Sequence, residues 1–497
     1  GLDFASGPGG SIAFIADADR DGNGDFRMDT GDVIRASQRN IRIEGANIRV
    51  GGIRTNTLLN TDGNGGSITL STIDRPNATG NIEVLGEFNI VLPNGSNDSG
   101  GPFSLASFRG VSRSGNGGNI TIQSDNGFVN IASGNINTTA SVDAGDVTIK
   151  APIFVTIGGD LRSFSPTLDN GIVNITSNEI SFTGDENSVT GDASINLSPF
   201  TQNRDINLGF TNGRLGLDLP RTDIDALNTP VSGPVNIGTE NDGGTVTLSD
   251  SVTPAEVNLI RGGSTLVGPN VASTWDITGN NQGEVNEINF ENIENLEGGT
   301  GNDQFIFSAG VDADAAIRNI NDPEGDNTLN LLASTTPVDV DLNTRRIRNG
   351  TILGPAVSPN TLSGVDGLFN QWTITGTNSG SVENPEGTLT FSNFQNLTGG
   401  SGNDSFTLGG GTVAAINDTG GGSTLIGENI DTTWNITSTN AGTVNGANAF
   451  TNILNLVGGT ADDTFVFSDG TNVTTVNDIG TTTADVLDYS AYVSPLS

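Results

Sequence analysis

The chain has 497 residues, 70 of them glycine, and a formal net charge of −37 at pH 7. Such acidity repels nucleic acid and anionic membranes. Cysteine and histidine are both absent, which excludes a disulfide framework, cysteine–zinc sites, thiol catalysis and histidine as a general base. No apolar run approaches the roughly 18 residues that span a bilayer. Short β-branched runs between Gly, Asn and Asp predict strands and turns, and their apolar–polar alternation argues against disorder.

Residues 1–45 differ from the rest and contain the most specific candidate site. Asp17-Ala-Asp-Arg-Asp-Gly-Asn-Gly-Asp25 fits the pattern D-x-D-x-D-G-x-x-D. Alternate aspartates place carboxylates on one side of a tight loop, as a hard cation such as Ca²⁺ requires. The predicted ligands are Asp17, Asp19, Asp21, Asn23 and Asp25. Because Met28 stands where an EF-hand has Glu and residues 11–16 read as a strand, we predict a calcium loop of another type. A solvated turn is the alternative.

From residue 46 to about 250, a glycine-rich turn followed by a strand recurs. The glycines before the strands are Gly66, Gly118, Gly145 and Gly171, separated by 52, 27 and 26 positions. We interpret the first gap as two periods of a unit of about 26 residues, the length of one coil of a parallel β-helix. At the strand spacing of about 4.8 Å, the whole chain would form a rod roughly 90 Å long. Residues 196–240 read as an excursion from it, with a helical turn near Thr222 that Asp or Thr would cap.

Residues 251–497 contain larger, composite repeats. Residues 290–305, 391–406 and 450–465 share an aromatic residue, two Asn, a Leu, a Gly pair, an Asp and a closing Phe. Units of this kind bury their apolar faces against their neighbours, so a continuation of the β-solenoid is predicted.

The Gly pairs begin copies of the calcium β-roll nonapeptide G-G-x-G-x-D-x-U-x, in which U is a large apolar residue. The third copy has Ala461 in place of the third Gly. A β-roll binds Ca²⁺ between successive nonapeptide turns, whereas these copies stand singly. We therefore favour a turn in which Asp bonds backbone amides and Phe fills the core. Calcium binding is the alternative for Asp303, Asp404 and Asp463.

Three tryptophans each begin the pattern W-x-I-T, followed by Gly eight and Val ten residues after the Trp. They are Trp275, Trp372 and Trp434. Residues two apart share a face of a strand, which places each Trp and Ile together. Core stacking is the favoured interpretation, and an aromatic platform for sugars is the alternative.

The last residues repeat an earlier segment, with Leu487 aligned on Leu329. The chain starts at Gly1 without Met and stops inside a repeat. Because an uncapped solenoid exposes apolar faces and strand edges, we expect a longer parent chain or self-association to cover this end.

Several stretches together resemble a known class of protein. They include the G-N-G-G-x-I-T turns, Gly233-Pro-Val-Asn-Ile-Gly238, Thr274-Trp-Asp-Ile-Thr-Gly279 and Leu487-Asp-Tyr-Ser-Ala-Tyr492. In these the chain resembles the large secreted β-helical exoproteins of bacteria, of the filamentous-haemagglutinin-like type found in cyanobacteria. The resemblance implies export to the cell surface, a right-handed parallel β-helix, and a role in adhesion or in an extracellular matrix or filament. The N-P-N-G-type secretion motif of that family is not evident.

The sequence therefore predicts a non-enzymatic, secreted structural or adhesive protein with structural Ca²⁺, no nucleic-acid partner and no membrane-spanning segment. Two alternatives stay open. One is a calcium-dependent, lectin-like module that binds surface glycans through aromatic faces. The other is a polysaccharide-degrading β-helix enzyme, for which the only candidate cluster is the 17–25 loop with Arg20 or Arg27.

Overall fold

The fold is known from a computed structural model. It describes residues 2–4, 10–19, 23–36, 38–55, 65–72, 80–85, 88–89, 117–131, 135–138, 140, 143–165, 171–211, 216–228, 233–239, 243–250, 257–311, 317–322, 324–347, 349–356, 358–480 and 484–494. The chain divides into two compact units, Gly1–Ser264 (unit 1) and Thr265–Ser497 (unit 2).

The described elements up to the end of unit 1 are short strands and one helix. They are β1 Leu2–Asp3, β2 Ser11–Ile15, β3 Phe26–Arg27, β4 Val33–Arg35, β5 Asn40–Gly45, β6 Ile48–Val50, β7 Gly52–Arg54, β8 Ile68–Thr72, β9 Ile82–Val84, β10 Phe88–Asn89, β11 Ile120–Gln123, β12 Val129–Ile131, β13 Ile136–Asn137, β14 Val147–Ala151, β15 Val155–Ile157, β16 Leu161–Ser163, β17 Ile172–Ser177, β18 Ile180–Phe182, β19 Val189–Gly191, β20 Ser194–Ser198, β21 Ile206–Leu208, β22 Leu217–Leu219, α1 Arg221–Asp225, β23 Leu227–Asn228, β24 Val235–Ile237, β25 Thr245–Leu248 and β26 Val257–Val267.

The remaining described strands belong to unit 2. They are β27 Thr274–Gly279, β28 Gln282–Val285, β29 Ile288–Glu297, β30 Gln304–Phe307, β31 Asn319–Asp322, β32 Asn327–Asn330, β33 Asp339–Asp341, β34 Arg345–Ile347, β35 Gly350–Leu353, β36 Thr361–Ser363, β37 Gln371–Gly376, β38 Ser379–Asn384, β39 Gly387–Ser392, β40 Asn396–Thr398, β41 Ser405–Leu408, β42 Ala415–Asn417, β43 Thr424–Ile426, β44 Thr433–Ser438, β45 Ala441–Val444, β46 Asn448–Thr451, β47 Asn455–Val457, β48 Thr464–Phe467, β49 Thr475–Asn477 and β50 Val486–Asp488.

In unit 1 the chain visits three sets of parallel strands in rotation. The first set runs β1-β4-β7-β10-β13-β16-β19-β23 and the last β3-β6-β9-β12-β15-β18. Between them, β2 pairs with β5 and the ladder continues through β8, β11, β14, β17, β20 and β24. The fold is thus all-β with long, predominantly parallel sheets, as predicted, and it is compatible with a β-solenoid.

The register explains the spacing of about 26 residues. Ile120 pairs with Val147, and Val147 pairs with Val173. All three are fully buried, so the apolar residue of each strand packs on its equivalent in the next pass. The 52-residue gap is not two periods, however, because Ile68 pairs directly with Ile120. It is one longer pass, and part of it, residues 90–116, lies outside the described residues.

Polar side chains also bridge successive passes. Asn196 donates from Nδ2 to Oδ1 of Asn174 at 2.8 Å, and Asn236 donates to Asn196 at 2.7 Å. At the glycine turns, Oδ1 of Asn119 accepts the backbone amide of Asp146 at 3.0 Å. Such side-chain oxygens satisfy backbone amides in the turns, where no strand or helix supplies a carbonyl partner.

The segment around residues 196–240 lengthens one pass. Ile195 pairs with Val235, forty positions later. The pass contains α1, close to the predicted helical turn, but the predicted capping is wrong. The helix begins after Pro220, whose φ is −62°, and no side chain caps it. Proline supplies the entry angle because its ring fixes φ near the helical value.

The composite repeats of unit 2 combine parallel ladders with antiparallel hairpins. Trp275 pairs in parallel with Phe305 but antiparallel with Val285. The segment from Trp275 to Val285 therefore forms an antiparallel hairpin and is not part of a wholly parallel coil. Its turn contains Asn281 at φ 55°, in the left-handed region that Asn tolerates. Equivalent hairpins follow Trp372 and Trp434.

Candidate metal centres

The predicted N-terminal calcium loop lies between β2 and β3. The structure describes four of its five predicted ligands, Asp17, Asp19, Asn23 and Asp25, whereas Asp21 lies outside the described residues. Asp17 is 1 % exposed. Gly24 closes the loop, because a Cβ there would come closer than 3.0 Å to the backbone of Ala16 and Asp17. The backbone therefore brings the two ends of the loop together.

Asp25 has protein partners of its own. Its carboxylate accepts hydrogen bonds from Nη2 of Arg27 at 2.8 Å and Nδ2 of Asn47 at 3.0 Å. Burial acts to raise the pKa of Asp25, but these hydrogen bonds outweigh it and hold the pKa below its usual range. Among the described residues, Asp17, Asp19 and Asp25 do not form a cluster of three carboxylates close enough to share an ion. Since Asp21 is not described, the calcium loop stays a prediction.

The aspartates of the three Gly-Gly turns occupy one repeated environment. Asp303, Asp404 and Asp463 are 1, 2 and 0 % exposed. In each, Oδ1 accepts a backbone amide from the residue two positions before a tryptophan. The donors are Ser273, Asn370 and Thr432, at 2.8, 2.7 and 3.0 Å. These bonds agree with the turn interpretation. In the third turn the second oxygen is also used, because Oδ2 of Asp463 accepts the backbone amide of Gly459 at 2.5 Å.

A second aspartate, on the next pass of the chain, lies beside each turn. It ends the sequence Ile-Asn-Asp or Val-Asn-Asp, and the three residues are Asp322, Asp418 and Asp478. The passes are joined at this point because the amide of the first Gly donates to the carbonyl of the Asn before the second Asp. The donors are Gly298, Gly399 and Gly458, at 3.3, 2.9 and 2.8 Å. We call Asp303 with Asp322, and Asp404 with Asp418, the buried aspartate pairs.

The first glycine of each turn makes room for these carboxylates. A Cβ on Gly298 would come closer than 3.0 Å to Oδ2 of both Asp303 and Asp322. The same holds for Gly399 with Oδ2 of Asp404 and Oδ1 of Asp418. Both carboxylates of a pair therefore face one small space, and a side chain on the glycine would fill it.

The oxygens that face this space lack hydrogen bonds. Among the described residues, no hydrogen bond of normal geometry reaches Oδ2 of Asp303, either oxygen of Asp322, Oδ2 of Asp404 or Oδ1 of Asp418. Asp303, Asn327 and the backbone of Glu324 nevertheless lie close enough to Asp322 to act on its pKa. Burial, with the neighbouring charge of Asp303, raises the pKa of Asp322 to about 8. Burial likewise raises the pKa of Asp418 to about 6, and the charge of Asp404 adds to the effect. A buried carboxylate without a partner is unfavourable, so each pair requires a proton or a cation.

The third turn has an additional carboxylate. Asp463, Asp478 and Asp485 place one oxygen each within 4.8 Å of one another, the only such group of metal-ligating side chains among the described residues. Oδ1 of Asp485 accepts the backbone amide of Asp463 at 2.8 Å. Asn327 and Ser423 accept the equivalent amides in the first and second turns. The three sites are thus variants of one arrangement.

Sequence reasoning identified the first aspartate of each pair but missed the second. The signal was present, because Ile/Val-Asn-Asp follows the three turn aspartates by 19, 14 and 15 residues. The intervals differ, so a search at fixed period does not find them.

The tryptophans are in the core, as favoured. Trp275, Trp372 and Trp434 are each 0 % exposed and stack on Phe305, Phe406 and Phe465 at 5.5, 5.8 and 5.4 Å between ring centroids. They present no face to a sugar, so the predicted alternative of a platform built from them is wrong.

Unit 2 also has an open, acidic groove. The residues that line it include Asp339, Asp341, Asp366, Ser363, Thr398 and Thr419. Asn343 also lines the groove, and its backbone amide donates a hydrogen bond to Oδ1 of Asp341 at 2.9 Å. Carboxylates and hydroxyls of this kind can exchange hydrogen bonds with the hydroxyl groups of a glycan.

Comparison with family models, with curated proteins and with solved structures finds no match to this chain. The one described helix has five residues, and no described helix has the length and apolar character needed to cross a membrane.

Proposed function

We propose that the chain is a right-handed parallel β-helix that acts as a non-enzymatic structural or adhesive protein outside the bacterial cell. The observation that carries the proposal is the in-register ladder of unit 1, in which Ile120, Val147 and Val173 stack on successive passes. Stacked repeats build extended surfaces that grow by adding units, which suits a fibre or a matrix. The haemagglutinin-like resemblance of the sequence supports export and adhesion.

The charge of the chain supports the same setting. A net charge of −37 favours solubility and attracts divalent cations. The ladder leaves apolar residues inward and polar residues such as Asn196 outward. The outward face of this ladder therefore presents hydroxyl and amide groups, which suit hydrated contacts with surfaces or glycans.

We further propose self-association at the apolar surface near β50. Leu487 is 55 % exposed and Val486 is 47 % exposed, whereas the aligned Leu329 is 1 % exposed. Exposed apolar residues on a strand favour pairing with a further strand. Leu487→Asp should abolish association measured by analytical ultracentrifugation. Association that persists in this variant would contradict self-association through this surface.

Calcium at the N-terminal loop is part of the proposal, as a structural ion. The closure of the loop by Gly24 supports it. Replacing Asp17, Asp19 and Asp21 by Asn should remove a calcium-dependent rise in the melting temperature of unit 1. An unchanged calcium response would refute this site.

The direct test of the main proposal is electron microscopy combined with surface binding. Purified protein should give elongated particles or filaments that bind glycan-coated or abiotic surfaces. Compact globular particles without surface binding would contradict the proposal, and turnover of a polysaccharide would revive the enzymatic alternative.

A second candidate function is a calcium-dependent carbohydrate-binding module, favoured by the acidic groove of unit 2. Glycan-array binding that is lost both with chelator and in Asp341→Asn would support it over a passive structural role. Binding that survives both changes would exclude the groove.

A further inference from the structure

We propose that the buried aspartate pairs of unit 2, Asp303 with Asp322 and Asp404 with Asp418, each bind a divalent hard cation of the calcium class. The inference is independent of the adhesive function, because it concerns what stabilises unit 2.

Several carboxylate oxygens of the pairs are buried without a hydrogen bond of normal geometry from the described residues. Asp322 is 0 % exposed and both its carboxylate oxygens lack a hydrogen-bond partner among the described residues, as does Oδ2 of Asp303. Buried polar atoms are normally satisfied, and an orphaned carboxylate is among the least favourable groups to bury. Since the same arrangement recurs at Asp404 and Asp418, it is a repeated feature rather than an isolated defect.

The two carboxylates of each pair converge on one space. The unpartnered oxygens of each pair come from two passes of the chain and face the same space beside the first Gly of the turn. A hard cation needs about six to eight oxygens at about 2.3–2.6 Å and brings carboxylates together that otherwise repel. The space is too small for a side chain on the glycine, which favours an ion over an organic ligand.

Positive charge is scarce within the chain, which has 20 Lys and Arg against 57 Asp and Glu. Lys150 is the only lysine, and no Lys or Arg follows Arg348. The second pair and the Asp463 cluster therefore have no basic side chain from residues 349–497 to neutralise them. Arg318, in the same unit, forms an ion pair with Glu294, with 3.4 Å between Nη1 of Arg318 and Oε2 of Glu294. Neutralisation of the second pair must therefore come from a proton or from an external cation.

The arrangement differs from that of a β-roll. There, equivalent nonapeptide turns stack directly on one another. Here the partner of each turn is the aspartate of an Ile/Val-Asn-Asp strand end, held beside the turn by the bond from Gly298 to Asn321 and its equivalents. Single nonapeptides separated by tens of residues can therefore still supply two carboxylates to one ion.

Calcium-dependent melting of the full chain tests the proposal. All three tryptophans lie in unit 2, so Trp fluorescence reports the melting of that unit apart from the N-terminal loop. Calcium at about 100 times its Kd should raise the melting temperature by roughly 5–10 °C for each occupied pair in a unit of this size. The Asp322→Asn/Asp418→Asn variant should lose most of this rise.

The Asn variant separates binding from folding. Asn has the shape of a protonated Asp and carries no charge, so without calcium the variant should melt at or above the temperature of the wild-type protein. A merely structural role for Asp322 and Asp418 predicts the opposite, a lower melting temperature with an unchanged calcium response. The matched control is Asp326→Asn, which removes an exposed carboxylate near Asp322 and should leave the response intact.

Terbium luminescence gives a second readout on the wild-type protein. Each Trp lies two residues after the amide donor to a turn aspartate, as Trp275 follows Ser273. Terbium bound at the pairs should therefore emit on Trp excitation, and excess calcium should quench the emission by competition. Absence of sensitised emission, absence of a calcium-dependent melting shift, or retention of the full shift in the double variant would each overturn the proposal and assign the pairs to shared protons.

Discussion

Replacement of Trp372 tests whether the stacked aromatic residues hold unit 2 together. Trp372 is fully buried, stacks on Phe406 at 5.8 Å between centroids and meets Phe391 edge-on at 5.9 Å. Trp372→Ala removes both ring contacts and leaves a cavity between neighbouring strands. A fully buried Trp replaced by Ala typically costs about 3–5 kcal/mol in free energy of unfolding.

The conservative variant Trp372→Phe should lower the free energy of unfolding much less than Trp372→Ala does. The indole Nε1 of Trp372 has no hydrogen-bond partner among the described residues. Trp372→Phe keeps a ring over Phe406 and removes this unsatisfied donor, whose burial costs about 1–3 kcal/mol. The gain offsets part of the lost packing, so Trp372→Phe should change the free energy of unfolding by less than about 1.5 kcal/mol.

Equilibrium unfolding in urea, followed by fluorescence of the remaining Trp275 and Trp434, measures both values within unit 2. If Trp372→Ala costs less than about 1 kcal/mol, or Trp372→Phe costs as much as Trp372→Ala, the reasoning from stacked, close-packed rings is refuted.

Three further predictions concern unit 1. Burial raises the pKa of Asp223 to about 6, against an opposing hydrogen bond from the amide of Phe182. The folded-state pKa thus exceeds the unfolded one, so stability is lost as the pH rises from about 4 to about 6. Relative to wild type, Asp223→Asn should gain about 2–3 kcal/mol in free energy of unfolding at pH 7 and nothing at pH 4. Gly145→Ala places a Cβ closer than 3.0 Å to the backbone of Gly118, so chemical denaturation should show a loss of about 1–3 kcal/mol. Asn196→Ala removes the bonds to its neighbours in the Asn ladder, at 2.8 and 2.7 Å, and should lower the free energy of unfolding by about 1–2 kcal/mol.

Each of these has a control or a contradicting result. An Asp223→Asn gain that is the same at pH 4 and pH 7 would exclude desolvation as its cause. Gly422→Ala is the control for Gly145→Ala, because the nearest atom to its Cβ would be 3.7 Å away, and it should be neutral. A neutral Asn196→Ala would show that the ladder bonds only replace equivalent bonds to water.

The sequence predicts the parallel ladders well because their signal is local. Strands such as β14, with Val147 and Ile149 inward, carry the period-2 pattern in their own residues. The length of the passes between them is not encoded in that pattern. The direct pairing of Ile68 with Ile120 therefore contradicts an inference from spacing alone.

The hairpins of unit 2 show a second limit. Alternating burial is the same in parallel and antiparallel strands, so Trp275 and Ile277 identify the buried face but not the direction of the next strand. Direction is set by the turn, where Asn281 takes a φ of 55°. Gly283 then allows Phe290 to cover the strand, because a Cβ there would come closer than 3.0 Å to the ring.

The buried aspartate pairs show a third limit. Asp303 is marked by a motif, but Asp322 becomes significant only through the register that pairs Leu296 with Ile320. Such long-range register depends on the lengths of intervening loops, so the partner emerges only from the three-dimensional structure.

Parallel stacking of successive passes is the central feature of the fold, and cross-linking in this cysteine-free chain tests it most directly. Thr121 and Thr148 are opposite each other in parallel strands, so Thr121→Cys/Thr148→Cys should be joined by a short bifunctional thiol reagent. Thr121→Cys/Ser181→Cys, with the second position in a different ladder, should not. Efficient cross-linking of the second pair of cysteines with none of the first would contradict parallel stacking of successive passes.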